Sequence, residues 1–211
     1  MERVDCIVIG GGVIGLAVAR RLAMAGIETL VLEREAVHGA HASGRNSEVI
    51  HAGLYYATGT LKARLCVHGR EQLYRYCDER GVAHRRCGKL VVATSDAECA
   101  TLRHYVETAG RNGVTDLVWL TSAEVAELEP AVRCVAALWS PSTGIVSSHE
   151  LMQALLGDLA QRGGTLVAIG PLVFTAGGAL LFMVQLQPGL ALVAAVLVPA
   201  FYLLIKVLGR G

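Results

Sequence analysis

Residues 4–9 (VDCIVI) form a short apolar run without polar alternation, the pattern of a strand covered on both faces at the centre of a parallel sheet. Gly10, Gly11 and Gly12 follow. From Val13 to Ala25 the apolar positions recur at helical spacing, until Gly26 stops them just past the cap. Residues 28–33 (ETLVLE) predict the next strand, so the chain opens with one β-α-β unit. Residues 34–60 have no clear period and are rich in Gly, Ser, His and Asn, which predicts a long functional loop with short helical pieces.

Helical spacing returns over 60–79, with Leu61, Leu65, Leu73, Tyr76 and Cys77 on roughly one face. A strand is expected at 88–94 (GKLVVAT), and a strand and turn at 134–141 (CVAALWSP). Three pairs have capping-box spacing: Ser95 with Glu98, Thr121 with Glu124, and Ser147 with Glu150. They predict the starts of helices over about 96–111, 122–128 and 148–162.

Beyond this point the polarity changes. Between Leu166 and Ile205 there is no charged side chain, and Lys206 and Arg210 alone carry charge after them. Two apolar stretches, 166–184 and 190–205, flank Gln185-Leu186-Gln187-Pro188-Gly189, where the Pro-Gly pair marks a turn. Each is near the lower limit of roughly 17 residues for crossing a bilayer. The expectation is a transmembrane helical hairpin over 166–211 after a domain spanning 1–165. With Arg162, Lys206 and Arg210 at its ends, that hairpin would leave the first domain on the cytoplasmic face of the membrane. A buried helical pair in a larger soluble protein is the alternative.

Composition narrows the function classes only a little. A formal net charge of +1 gives no global argument for nucleic acid or acidic partners. The six cysteines show no C-x-x-C pair and no neighbouring His at ligand spacing, so no metal site is expected and the thiols suit a reducing compartment. Glu2, Asp5 and the glycines interrupt the N-terminal apolar run, which is unlike a signal peptide.

The chemistry begins at the glycines. Gly10 makes a tight turn, Gly12 lets the backbone approach a pyrophosphate, and Gly15 permits close helix–strand contact. Val13 and Ile14 open the helix, whose N–H groups and positive dipole end hold a diphosphate. Ala19 and Leu22 suit a face resting on a sheet. Glu33 closes the second strand, where a carboxylate accepts the ribose hydroxyls, and Arg34 next to it joins the candidate cofactor contacts. This unit alone does not separate FAD from NAD. The chain then enters not a further β-α unit but the loop Ala42-Ser43-Gly44-Arg45-Asn46-Ser47-Glu48-Val49-Ile50-His51-Ala52-Gly53-Leu54-Tyr55-Tyr56.

That loop, with the unit before it, resembles the FAD-dependent oxidoreductases of the D-amino-acid-oxidase-like superfamily, in the branch that includes L-2-hydroxyglutarate dehydrogenase. The resemblance continues through Leu61-Lys62-Ala63, Leu65-Cys66, Cys87-Gly88-Lys89-Leu90 and Thr143-Gly144-Ile145-Val146, and covers about residues 4–167. It implies an α/β fold: a Rossmann-type FAD-binding domain, incomplete, with part of an inserted substrate-binding sheet, followed here by the apolar hairpin. It implies oxidation of an L-2-hydroxy acid to the 2-oxo acid, with hydride passing to flavin N5 and an electron acceptor that the sequence does not name.

On this resemblance His51 is the candidate base, since an imidazole titrates near neutral pH. A covalent bond to the flavin and a purely structural role are its alternatives. Ser43, Arg45, Asn46 and Ser47 are candidates for the cofactor's phosphates or ring edge, against a role as loop scaffold. Tyr56 and Lys89 are candidates for a substrate carboxylate, against solvated or core positions.

Two departures stand out. Glu48 occupies a place where the family commonly has Gly, and its carboxylate is expected to crowd a nearby flavin. The family's chains also run well beyond the region of resemblance, so poor turnover is expected. Residues 188–193 and 198–199 loosely resemble a transmembrane helix pair of ABC-type exporters. The competing expectation is a non-catalytic nucleotide-binding remnant joined to a membrane or subunit-contact hairpin.

Overall fold

The computed structural model describes residues 4–170, in two compact units: residues 4–40 with 159–170, and residues 41–158. The predicted hairpin lies almost wholly outside the described residues. Among the described residues, no helix is long and apolar enough to cross a membrane.

In chain order the elements are β1 (Cys6–Ile9), α1 (Val13–Met24), β2 (Thr29–Glu33), a 3-10 turn (Ala42–Gly44), β3 (Val49–Ile50) and α2 (Leu61–Arg80). Then come β4 (His84–Arg85), β5 (Leu90–Ala93), α3 (Asp96–Arg111), β6 (Val118–Thr121), α4 (Ser122–Leu128), β7 (Ala136–Trp139), β8 (Gly144–Val146), α5 (Ser148–Gln161) and β9 (Thr165–Ala168).

The first unit is the predicted β-α-β motif with a third strand added. β1 pairs parallel with β2, Cys6 opposite Thr29 and Ile9 opposite Leu32. α1 crosses between them and buries Leu16, Ala19 and Ala23, three positions of one helical face, two of them small enough for close approach to the sheet. Two expectations need correction. Among the described residues β1 lies at an edge rather than at the centre: the order is β1-β2-β9, and Ile7 and Ile9 are 54% and 88% exposed. Nor do Leu166–Ala168 begin a hairpin helix. They belong to β9, which pairs parallel with β2 from Leu30 opposite Thr165 to Glu33 opposite Ala168. An uncharged run of this kind satisfies a buried strand as well as a helix, and only the partner strand decides.

The second unit holds two antiparallel sheets, β3-β8-β4 and β5-β7-β6. β7 is buried on both faces with the two-residue alternation of a strand. Ala136 and Leu138 pack with Ala93 and with Leu102 of α3, while Ala137 packs with Leu120 and with Val125 of α4. α2 turns inward only part of the expected face, with Cys77 buried and Leu73 and Tyr76 half-buried. Ala63, Tyr74 and Cys77 are buried, but Leu61 and Leu65 are 62% and 56% exposed.

The three capping pairs resolve differently. Thr121 and Glu124 form the full reciprocal box. The Ser95 hydroxyl caps nothing, and Glu98 accepts chiefly the N–H and hydroxyl of Thr94. Ser147 accepts the Glu150 N–H, but the Glu150 carboxylate takes the Ala83 N–H, because the Ser147 N–H is already bonded to the Ala83 carbonyl.

Candidate functional site

The candidate residues fall into two groups, one in each unit. Gly10, Gly12, Val13, Ile14, Gly15, Glu33 and Arg34 belong to the first. Gly10 has φ +106°, a backbone state open to glycine and strained for other residues. A Cβ on Gly15 would overlap the Gly10 carbonyl oxygen, so the glycine spacing is what lets α1 rest against its own entry turn. Gly12 is the cap residue of α1. Gly12 has no side chain with which to cap the helix, and the first turn holds no acidic residue.

Glu33, 8% exposed, sits at the tip of β2. One carboxylate oxygen accepts the Gly11 N–H at 2.6 Å and the other accepts the Glu35 N–H at 2.9 Å. Those bonds, chiefly that from Glu35, hold its carboxyl below the ordinary carboxylate range. The carboxylate keeps accepting capacity for a hydroxyl donor beside these backbone N–H groups. Arg34 turns its guanidinium to Glu35, 3.0 Å away, with its side chain largely in solvent, while its carbonyl accepts the Gly170 N–H. The glycine turn, a helix start without acidic side chains and the buried ionised Glu33 together fit the diphosphate and ribose of an adenine dinucleotide.

Ser43, Arg45, Asn46, Ser47, His51, Tyr56 and Lys89 belong to the second unit. Asn46 is used inside its own loop: its amide donates to the carbonyls of Ala42 (3.3 Å) and Ser43 (2.7 Å), and its oxygen accepts the Glu48 N–H at 2.7 Å. This supports the scaffold alternative for Asn46. Arg45 ends the 3-10 turn, and both Arg45 and Ser47 are exposed. Glu48 adopts φ +56°, which explains why Gly suits this position. Its carboxylate accepts the N–H and hydroxyl of Ser148 at the start of α5.

The loop from His51 to Tyr56 is pinned along its length. Ala52 and Leu54 are buried against Ala109 and Val114. Arg70 donates to the Ala52 carbonyl at 3.3 Å and to the Ser142 hydroxyl at 2.7 Å, and Asn112 donates to the carbonyls of Gly53 (3.3 Å) and Tyr56 (2.7 Å). The Cys66 thiol donates to the His51 carbonyl at 3.3 Å.

Thus His51 is presented on rigid backbone, its ring 6.4 Å from that of Tyr56. Partial burial, and then the charges of Lys89 and Lys62, hold the imidazole below its ordinary value, so the neutral, proton-accepting form prevails near neutral pH. Burial pushes the Tyr56 hydroxyl the other way, upward. Lys89 is fixed by backbone bonds in both directions with Ser140, and its ammonium donates to the Tyr55 hydroxyl at 3.2 Å.

Lys62, Tyr55, Arg70 and Asn112 are not marked as site residues by any pattern in the sequence. Arg70 and Asn112 act on a loop more than ten positions away, so no local signal reveals them. Tyr55 and Lys62 lie within stretches that resemble the family. A separate concavity of about 320 Å³, lined by Glu48, Ala83, His84, Arg85, Ile145, Val146 and Ser147, includes none of the candidate residues.

A parallel β-α-β unit with this glycine turn and an acidic residue closing its second strand defines a dinucleotide-binding protein. The chain belongs to the FAD dependent oxidoreductase family, whose profile matches residues 5–169. It is 47% identical over 155 residues to the mitochondrial L-2-hydroxyglutarate dehydrogenase of Arabidopsis thaliana, covering 74% of this chain and 32% of that one. With the L-2-hydroxyglutarate dehydrogenase of Escherichia coli K12 it shares 37% identity over 165 residues, 77% of this chain and 39% of that one.

The chain thus spans between about a third and two fifths of the length of these curated relatives. Among solved structures, L-alpha-glycerophosphate oxidase of Mycoplasma pneumoniae with FAD bound superposes with a TM-score of 0.76 at 25% identity, over 80% of this chain and 45% of that one. Glycine oxidase of Geobacillus kaustophilus does so with a TM-score of 0.69 at 25% identity, over 80% and 47%. The cofactor of the family is FAD. The likeness of residues 188–199 to exporter helices finds no support in these comparisons, since the family match ends at residue 169.

Proposed function

We propose that the protein oxidises an L-2-hydroxy acid of the 2-hydroxyglutarate type to its 2-oxo acid, with FAD as cofactor. The observation that carries this reading is the similarity, at 37–47% identity, to L-2-hydroxyglutarate dehydrogenases through the segment that presents His51. Bound FAD would supply the acceptor for the two electrons and the hydrogen leaving the substrate carbon.

The chain's own residues do the rest. The backbone of Gly10, Gly12, Val13, Ile14 and Gly15 holds the diphosphate, Glu33 accepts the ribose hydroxyls, and Arg34 lies at the rim of that site. Ser43, Arg45 and Ser47 offer donors to the cofactor's other polar edges, while Asn46 keeps their loop in shape. His51 accepts the proton of the substrate hydroxyl, a role that the depressed basicity of its ring suits. Tyr56 and Lys89 meet a substrate carboxylate. The uncharged run after Ala168 supports, on its pattern alone, a tether to the cytoplasmic face of a membrane.

The test is anaerobic. Purified chain reconstituted with FAD should lose its oxidised-flavin absorbance on addition of L-2-hydroxyglutarate and keep it with the D enantiomer. His51→Gln should slow that loss by roughly a hundredfold or more, the usual weight of a general base. Failure to retain FAD, or bleaching indifferent to His51, would refute the reading.

A further inference from the structure

Lysine is scarce in this chain. It occurs at 62, 89 and 206 only, against sixteen arginines. Both lysines of the described residues converge on the loop that presents His51. The rings of Tyr55 and Tyr56 meet edge-on, 5.4 Å between centroids and 74° between planes. Lys62 Nζ lies 4.4 Å from the centroid of Tyr56, and Lys89 Nζ lies 4.7 Å from that of Tyr55 while donating to its hydroxyl. Each ammonium is steered by a different ring of one aromatic pair, which limits its freedom before any ligand arrives. Among the described residues, neither is ion-paired with a carboxylate.

Two uncompensated ammonium groups beside a neutral imidazole form a local field that asks for negative charge. One of them is enough for the carboxylate that every 2-hydroxy acid carries next to its hydroxyl. The second, on the other tyrosine, has no partner in a monocarboxylate. We infer that Lys62 and Lys89 are a specificity-determining pair that selects a dicarboxylate over a monocarboxylate at the His51 loop. Tyr55 and Tyr56 are the positioning residues that hold the two charges apart. The assignment rests on the reading of this loop as the substrate side of a 2-hydroxy-acid site, and it names what that site measures.

The experiment is calorimetric titration of the full FAD-reconstituted chain with glutarate and with butyrate, unreactive acids that differ by one carboxylate. Glutarate should bind about threefold tighter or more, the scale of one further ion pair at a partly exposed site. Lys62→Gln and Lys89→Gln should each remove most of that preference, and Lys62→Arg and Lys89→Arg should keep part of it. A second readout needs no turnover: the His51 ring-proton resonances should titrate at higher pH when glutarate is bound, and less so with butyrate.

Equal binding of the two acids, or a preference that survives Lys62→Gln/Lys89→Gln, overturns the inference. If the Gln variants do not fold, the Arg pair decides, since loss of all binding there would equally refute a role for charge. The two readings fail separately. Flavin bleaching by L-2-hydroxyglutarate without a dicarboxylate preference sinks the lysine pair alone, whereas lysine-dependent glutarate binding without bleaching sinks the oxidoreductase reading alone.

Discussion

The carboxylate of Glu48 accepts both the backbone N–H of Ser148 (2.8 Å) and its hydroxyl (2.7 Å), joining the strained entry of β3 to the first turn of α5 across a hundred residues. A negative charge at this helix start also complements the helix dipole. The bonds from Ser148, side chain first, hold the Glu48 carboxyl below its ordinary value.

Glu48 therefore carries two opposed effects, a left-handed backbone that favours Gly and a cap that Gly cannot supply. Glu48→Ala keeps the strain and loses the cap, so its urea midpoint should fall. Glu48→Gly relieves the strain and should fall less. The sign with pH comes from the lowered folded-state value: the stabilisation is present above the unfolded carboxyl's titration and is lost as pH drops through the folded one. Equal midpoints for Ala and wild type at neutral pH would show that the cap contributes nothing.

His51 gives a pH dependence of the same sign in a higher pH range. Its lowered value means that the unfolded chain binds the proton more readily, so folding stability should decline as pH falls below the ordinary imidazole range. Lys89→Gln should raise the His51 titration point and move the acid limb of flavin reduction to higher pH. Ring-proton NMR reads the first, a stopped-flow pH series the second, and an unmoved His51 would contradict the placement of Lys89.

The dinucleotide loop is tested through flavin retention after desalting. Gly12→Val should abolish it by filling the place of the pyrophosphate. Gly15→Ala should do so indirectly, because its methyl meets the Gly10 carbonyl and forces α1 off the turn, at about 1–3 kcal/mol of packing strain. Glu33→Ala strands the Gly11 and Glu35 N–H groups, for about 1–3 kcal/mol per buried donor, and should weaken retention without erasing it. Unchanged flavin content in Gly12→Val would reject the assignment.

Truncation separates the role of β9 from that of the uncharged run after it. A chain ending at Gly164 lacks the strand that covers the β2 edge from Leu30 to Glu33, whereas one ending at Gly170 keeps it. The shorter chain should melt several degrees lower, since about 1 kcal/mol is worth roughly 2–4 °C at this size. The full chain should sediment with membranes and the 1–170 chain should not. Recovery of the full chain as a detergent-free soluble species would end the proposal of a tether.

Local pattern carried part of this protein. The 3.6 spacing of Leu16, Ala19 and Ala23, the glycines at 10, 12 and 15 and the Thr121–Glu124 box are short-range features, complete within one turn or one β-α-β unit, and each is legible without a partner. The turn at Gly10 and the place of Glu33 at the end of β2 are short-range features of the same unit. The rest depends on contacts that no window contains. β3, β4 and β8 are two or three residues long, too short to show a period, and exist because they pair across 49–146. Leu166–Ala168 read equally as helix or strand until β2 supplies the hydrogen bonds. The bond of Glu48 to Ser148 exists only because α5 lies beside it, and Lys62 and Lys89 became a pair only when the chain set them on two touching tyrosines. Such relations are set by the free energy of long-range burial and pairing, which a one-dimensional pattern constrains but does not specify.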